Sequence, residues 1–131
     1  QRLVRRVCPD CVAQDHPEPS ELRELGIEPN GNEKFLKGTG CSKCMNLGYK
    51  GRVGVYELLC ATGGVRELIE QGANATEIFA CARGEGMRLM LEDGVEKARM
   101  GITSIEEVRK LHATVDVVLA SDDESEYRLS A

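Results

Sequence analysis

Large aromatic side chains are nearly missing from this sequence, which holds two phenylalanines, three tyrosines and no tryptophan in 131 residues. Aromatic residues bury the most area each, so a core without them is aliphatic and modest, and a chain of this length is expected to need another staple. Histidine is equally scarce: His16 and His112 are the only two, and neither stands beside a plausible nucleophile. No Gly-x-x-x-x-Gly-Lys-Ser/Thr run occurs, so the chain has no phosphate loop, and residues 1–131 are not expected to catalyse a reaction alone. No apolar run reaches the length of a membrane span, and the opening residues do not read as a signal peptide. Clustered positive charge is absent too, which argues against direct binding of nucleic acid, since phosphate contacts require it.

The charge that is present is uneven. Residues 1 to 60 carry nine Lys/Arg against eight Asp/Glu, whereas residues 61 to 131 carry eight against fourteen, for a net −5. Composition divides the chain at similar points. Residues 1–60 contain four of the six cysteines, all four prolines and most turn signals. There "PSELRELG" predicts a short helix with Ser20 as N-cap and Gly26 as its stop, while "EKFLKG" and "RVGVYELL" predict strands. Residues 61–112 read as a small helical bundle. Asn74 with Glu77 and Thr103 with Glu106 have capping-box spacing, and Ile78, Phe79, Ala82, Met87, Leu91, Val95 and Ala98 recur at helical intervals. Gly86, Gly94 and Gly101 are expected at breaks or close contacts between those helices. Residues 113–131 contain "VDVVLA", a possible strand, and then "SDDESE", whose default reading is a solvated acidic tail. The opening "QRLVRRVC" has no cap before it and reads as the middle of an amphipathic segment, so the chain is expected to be a piece of a longer protein.

The cysteines supply the missing staple. Cys8 and Cys11 form one Cys-x-x-Cys pair and Cys41 and Cys44 a second, with 29 residues between the pairs. Four soft sulfur donors suit tetrahedral zinc, and a two-residue spacer lets one tight turn aim both sulfurs at a point. Disulfides would fit a secreted chain and a redox dithiol would fit a single pair in a βαβ setting; structural zinc is the preferred reading of the three. A closed four-cysteine site leaves no open position for water, so its contribution is stability, on the order of 10–16 kcal/mol of apparent binding energy in small zinc modules. Gly48, Gly51 and Gly54 follow the second pair, where backbone N–H groups directed at sulfur call for a residue that tolerates positive φ or close approach. Arg5, Arg6, Lys43, Lys50 and Arg52 lie near the ligands in sequence and would offset the double negative charge of a filled site. Cys60 and Cys81 are expected as small buried hydrophobes, with His16 a remote substitute ligand and His112 a favourable charge at a helix end. The fold class that results is α+β: a small zinc-ribbon-like subdomain with short strands at 1–60, a helical C-terminal subdomain at 61–112 and an acidic tail at 113–131.

In order along the chain, "QRLVRRVCPDC", "GTGCSKCMNLGYKGRVGVYELL", "RELIEQGA" and "GMRLMLEDGVEKARMGITSIEEV" resemble the C-terminal end of the type II secretion and type IV pilus assembly ATPases, the GspE/PilB type. The resemblance covers about residues 1 to 111. It implies that Cys8, Cys11, Cys41 and Cys44 are the family's zinc ligands, and that Gly48, Tyr49, Gly51, Arg52, Gly54 and Glu57 form its glycine-rich segment. Arg52 and Glu57 would then pack or form salt bridges against the zinc loop or a neighbouring subdomain. It further implies a RecA-like motor core upstream that binds ATP and magnesium, a homo-hexamer, a cytoplasmic location peripheral to the inner membrane, and docking on the inner-membrane platform of a secretion or pilus machine. "CATGGVRELI" departs from the pattern, with Gly63 and Gly64 where an acidic residue is expected, which leaves the start of that helix open. Residues 112–131 have no counterpart in the resemblance. The competing reading, a free-standing zinc-ribbon adaptor or nucleic-acid/protein interaction module, predicts a basic or aromatic groove on the ribbon, for which only Phe35, Tyr49 and Tyr56 are available for stacking.

Overall fold

The computed structural model describes residues 1–111. The β-branched Val4 and Val7 favour an extended backbone over Arg2–Val7, and this segment forms strand β1, turning Val4 inward where it is 3% exposed. Strand β2 (Val12–Asp15) follows after a tight turn, then helix α1 (Pro19–Glu24) and strand β3 (Phe35–Gly38). A second tight turn leads into β4 (Tyr49–Val55). β1 and β4 pair antiparallel, with Val4 opposite Val53 and Arg5 opposite Arg52, and a bulge lies between Arg5 and Val7. β2 and β3 form the other antiparallel pair, from Val12 opposite Gly38 to Asp15 opposite Phe35.

The sequence places the start of α1 at Ser20. Glu18 caps it instead, with Pro19 at the first helical position, where its missing N–H costs nothing, and the Glu21 carboxylate accepting the Glu18 N–H at 3.0 Å. Gly26, at φ 69°, closes the helix, and the Ile27 N–H donates back to the Leu22 carbonyl at 2.9 Å. The strand expected at "RVGVYELL" is shifted toward the N-terminus: it starts at Tyr49 and is over by Val55. Beyond it the Tyr56 N–H donates to Asp93 Oδ2 at 2.9 Å, so the chain turns toward a helix rather than continuing a ladder.

Helices α2 (Gly63–Glu70), α3 (Ala75–Gly84), α4 (Met90–Arg99) and α5 (105–111) follow. The start of α2, left open by its two glycines, is fixed by Thr62, whose Oγ1 accepts the Val65 N–H at 3.3 Å. Asn74 and Glu77 make the reciprocal cap of α3, both bonds at 3.0 Å. For α5 the sequence points one residue too early: Ser104, not Thr103, is the cap, its Oγ accepting the Glu107 N–H at 3.3 Å. Thr103 is buried and donates its hydroxyl to the Arg5 carbonyl of β1 at 2.8 Å.

One apolar cluster joins Val4, Leu22, Phe35 and Val55 to Val95, Ala98, Ile105 and Val108, so α4 and α5 share a core with the strands. Gly94 lies inside α4, where a Cβ would stand 3.1 Å from Leu111 and 3.3 Å from Val108; its smallness lets the two helices approach. α2 and α3 pack on each other, and their buried residues Val65 and Ala82 lie outside that cluster. The result is a small α+β fold of short strands and helices around a cluster of cysteines.

Candidate metal centre

Topology explains why cysteines 29 residues apart meet. Cys8 directly follows β1 and Cys11 directly precedes β2, while Cys41 and Cys44 occupy the connection from β3 to β4. Pairing β1 with β4 and β2 with β3 lays these two connections side by side. The four Sγ atoms all fall within 4.8 Å of one another. Individual separations are 4.0 Å for Cys8–Cys41, 3.8 Å for Cys11–Cys44 and 3.7 Å for Cys41–Cys44. Four sulfurs about 2.3 Å from a central zinc would stand about 3.8 Å apart along each tetrahedral edge, and a disulfide would require about 2.05 Å. The donor set therefore has the chemistry and the spacing that tetrahedral zinc needs, and it matches no sulfur–sulfur bond. His16 is exposed and outside the cluster; His112 lies outside the described residues.

Backbone donors prepare the site for thiolate. The Cys41 N–H points at Cys44 Sγ from 3.2 Å and the Gly48 N–H from 3.3 Å. Burial opposes charge on Cys44, yet these N–H groups prevail and draw its thiol down to about 6. Cys11 is driven the other way, to about 11, first by burial and then by sharing hydrogen bonds with three other thiols. A divalent cation would remove that opposition by taking all four as thiolates.

The second turn departs from the glycine-based expectation. Directly after Cys44 the positive φ values fall on Met45 (53°) and Asn46 (59°), and the Asn46 N–H returns to the Cys41 carbonyl at 2.8 Å. Gly40 (95°), Gly48 (77°) and Gly51 (77°) are also left-handed, whereas Gly54 is not. Gly54 is small for another reason: the Tyr56 ring lies across it, where a Cβ would meet the hydroxyl at 2.2 Å. Gly38, which the spacing argument did not single out, is the tightest position. A Cβ there would stand 1.8 Å from the Gly48 carbonyl oxygen, the oxygen that accepts the Cys8 N–H at 2.9 Å.

The neighbouring cations divide into committed and uncommitted groups. Lys43 pairs with Asp10 at 2.6 Å, and Arg5 pairs with Glu107 at 2.7 Å while stacking 4.0 Å over Tyr49. The side chains of Arg6, Lys50 and Arg52 are exposed and form no hydrogen bond or ion pair among the described residues. Glu57 accepts the Met90 N–H at 3.1 Å and so helps to cap α4. Cys60 and Cys81 do not behave as buried hydrophobes: Cys60 is exposed, because the segment after β4 runs over the surface, and Cys81 on α3 is half-buried.

The β1–β2 and β3–β4 connections of a small α+β fold thus bring four cysteines into one cluster that could hold a metal ion. The chain belongs to the type II/IV secretion system protein family, whose model matches residues 1–110. It is 46% identical over 110 residues to a type IV pilus assembly ATPase PilB of Thermus thermophilus, covering 82% of this chain and 12% of that protein. It is 40% identical over 114 residues to a type II secretion system ATPase E of Vibrio cholerae, covering 85% and 22%. A type IV pilus assembly ATPase PilB of Pseudomonas aeruginosa is also 40% identical, with 85% and 20% covered. The chain thus spans about an eighth to a fifth of the length of these relatives. Among the described residues no helix is long and apolar enough to cross a membrane.

Proposed function

We propose that this chain is the zinc-stabilised C-terminal region of a cytoplasmic, hexameric ATPase that powers type II secretion or type IV pilus assembly, and that it serves there as a structural and docking element. Cys8, Cys11, Cys41 and Cys44 are the zinc ligands. Residues 1–60 hold the metal, residues 61–112 form the helical part, and residues 113–131 are an acidic tail. ATP and magnesium belong to the motor core, and the partner is the inner-membrane platform of the machine. The observation that carries this reading is the set of four sulfurs at tetrahedral spacing, in a chain that matches the family along 110 residues.

Bound zinc would supply a fixed tetrahedral charge centre and no open coordination position. What the protein's own residues supply is orientation: the two turns aim the sulfurs, and Gly48 and Cys41 donate N–H groups to Cys44. The experiment is metal analysis of the purified chain together with circular dichroism during chelation. One zinc per chain, lost together with folded structure, is expected. A folded chain free of metal would overturn the zinc assignment. For docking, pull-down by the cytoplasmic part of the platform should fail when Cys41 and Cys44 are both replaced by serine in the whole ATPase; unchanged capture would overturn that role.

A further inference from the structure

The two metal turns are tied together at their base by backbone and at their tip by one pair of side chains. At the base the Cys8 N–H donates to the Gly48 carbonyl at 2.9 Å, and the Thr39 N–H and hydroxyl both donate to the Cys11 carbonyl, at 2.9 and 3.1 Å. At the tip stand the residues between the cysteines, Pro9, Asp10, Ser42 and Lys43, all four of them exposed. Asp10 and Lys43 occupy the same place in their turns, directly before the second cysteine of each Cys-x-x-Cys pair. Their charges are opposite, and Lys43 Nζ donates to Asp10 Oδ1 at 2.6 Å. Among the described residues this is the only side-chain hydrogen bond or ion pair linking the intervening residues of one turn to those of the other.

The pair also reaches the sulfurs: Asp10 Oδ2 lies 4.0 Å from Cys8 Sγ while Oδ1 holds Lys43. Its side chains are 30% and 65% exposed, and an ion pair so open to water adds little to the stability of a fold. Its effect is to be sought instead in the motion of the turns. For metal to leave a closed four-sulfur site, a metal–sulfur bond breaks, a donor atom of the competing chelator takes the vacated position, and the freed sulfur stays a thiolate or takes a proton from water. Cys11 and Cys41 are half-buried whereas Cys8 and Cys44 are buried, so a chelator reaches the first two more readily. Backbone bonds fix the base of each turn, so the movement left to a departing sulfur is a swing of one tip away from the other. That swing parts Asp10 from Lys43.

We infer that Asp10 and Lys43 are positioning residues that set how fast the four-sulfur site exchanges its metal, by clasping the tips of the two turns. The inference rests on the zinc assignment above and goes beyond it, from which residues hold the metal to what governs its release. The clasp lies outside the ligand set, so it slows entry and exit alike and acts on rates rather than on affinity. Lys43 is thereby committed to Asp10 and does not serve simply as one more free cation offsetting the charge of the filled site.

The test uses the full zinc-loaded chain and its K43M, D10N, K43M/D10N and K43R variants, each first assayed for zinc content. Zinc transfer to an excess of chromophoric chelator is followed by stopped flow. K43M and D10N should release zinc up to about fivefold faster than the parent, the most that an ion pair of this exposure holds back. The double variant should be no faster than the singles, since all break one contact, and K43R, which keeps the charge, should match the parent. The gap between K43M and the parent should close as salt shortens electrostatic range from about 10 Å toward about 3 Å, while affinity at equilibrium stays unchanged. Equal release from K43M and the parent, multiplying effects in the double variant, or K43R as fast as K43M would overturn the clasp and leave the zinc assignment standing. So would a loss of affinity as large as the gain in rate, or a variant that holds no zinc, because the pair would then determine binding itself. A parent chain without stoichiometric zinc overturns the zinc assignment and the clasp together.

Discussion

Replacing Gly38 by alanine separates the role of the metal ligands from the role of the backbone that aims them. Gly38 is not a ligand and its φ is not left-handed, so alanine is conformationally acceptable there. The obstacle is contact: the new methyl would stand 1.8 Å from the Gly48 carbonyl oxygen and 2.4 Å from its carbon. Ordinary van der Waals contact begins near 3.4 Å, so the two connections must separate by more than an ångström at a point where both partners are backbone. The displaced residue holds the site from two directions, through its carbonyl to the Cys8 N–H and its N–H to Cys44 Sγ. Loss of such supporting contacts typically weakens metal binding by about 10- to 100-fold, and overpacking of this kind costs about 1–3 kcal/mol or more. The control is Gly51→Ala. Gly51 has φ 77° and open space around a Cβ, so only the left-handed penalty of about 1 kcal/mol applies and the metal turns stay in place. Competition titration of zinc against a chromophoric chelator measures both variants. Equal affinity for G38A and the parent chain would refute the claim that the Gly38–Gly48 approach positions the sulfurs.

Cys44→Ser should abolish stoichiometric zinc, since one of four thiolates is removed and the two backbone N–H groups lose their acceptor; inductively coupled plasma analysis of the dialysed protein checks this. Glu107→Gln should destabilise the fold by about 2 kcal/mol at pH 7, read by urea unfolding of the zinc-loaded chain. Burial opposes charge on Glu107, but Arg5 and Lys110 overcome it and draw the carboxyl from 4.5 to about 2. At about 1.36 kcal/mol per unit that shift corresponds to roughly 3 kcal/mol, reduced to about 2 because Arg5 and Lys110 are 40% and 55% exposed. Because the folded value is the lower one, this stability is present above pH 4.5 and fades as pH falls toward 2; the gap between variant and parent should narrow in that direction, and a constant gap would contradict the ion-pair origin. Phe35→Ala, at a side chain 1% exposed and ringed by aliphatic residues, should cost about 3–5 kcal/mol. Tyr49→Phe should cost about 1 kcal/mol by removing the 2.7 Å bond to Ser104, and both are measured in the same urea assay.

What the sequence disclosed tracks how local each signal is. Cys-x-x-Cys spacing is fixed by one turn, so the four sulfurs could be named without coordinates, and Asn74 with Glu77 is likewise a cap formed within four residues. Ser104 and Thr103 show the limit. Each is a plausible cap by spacing, and only the partner strand decides, because Thr103 is drawn away to the Arg5 carbonyl. Glu107, third residue after the Ser104 cap, would by spacing alone turn back to its own cap; instead it accepts the Arg5 N–H at 2.9 Å. Gly38 was invisible for the same reason: its constraint comes from a residue ten positions on, across a turn whose path depends on strand pairing. The readings of Cys60 and Cys81 erred because apolar spacing cannot tell a core face from a surface segment when few aromatics are present to anchor the core. Residues 113–131, including the possible strand at "VDVVLA", lie outside the described residues.

The same long-range bonds bear on how far loss of metal would spread. Among the described residues β1 pairs only with β4, and on its other edge N–H and carbonyl groups are met by the segment leading into α5. Arg5 donates to Glu107 and accepts from Thr103, and Val7 donates to the Ile102 carbonyl at 3.0 Å. Cys8 follows Val7 without a spacer, so any movement of the metal turn is transmitted at once to a strand that is bonded on both sides. On the other side, Val4 and Val55 share the apolar cluster with Ile105 and Val108. Zinc removal should therefore loosen α4 and α5 along with the turns, while the α2–α3 pair, whose buried Val65 and Ala82 lie outside that cluster, should keep its helices longer. Hydrogen exchange measured before and after chelation resolves the two cases. Protection lost together at Val4, Val95 and Val108 is the expected pattern, and retention at Val95 and Val108 with loss only around Cys8 and Cys44 would show that the metal turns fold as an independent unit.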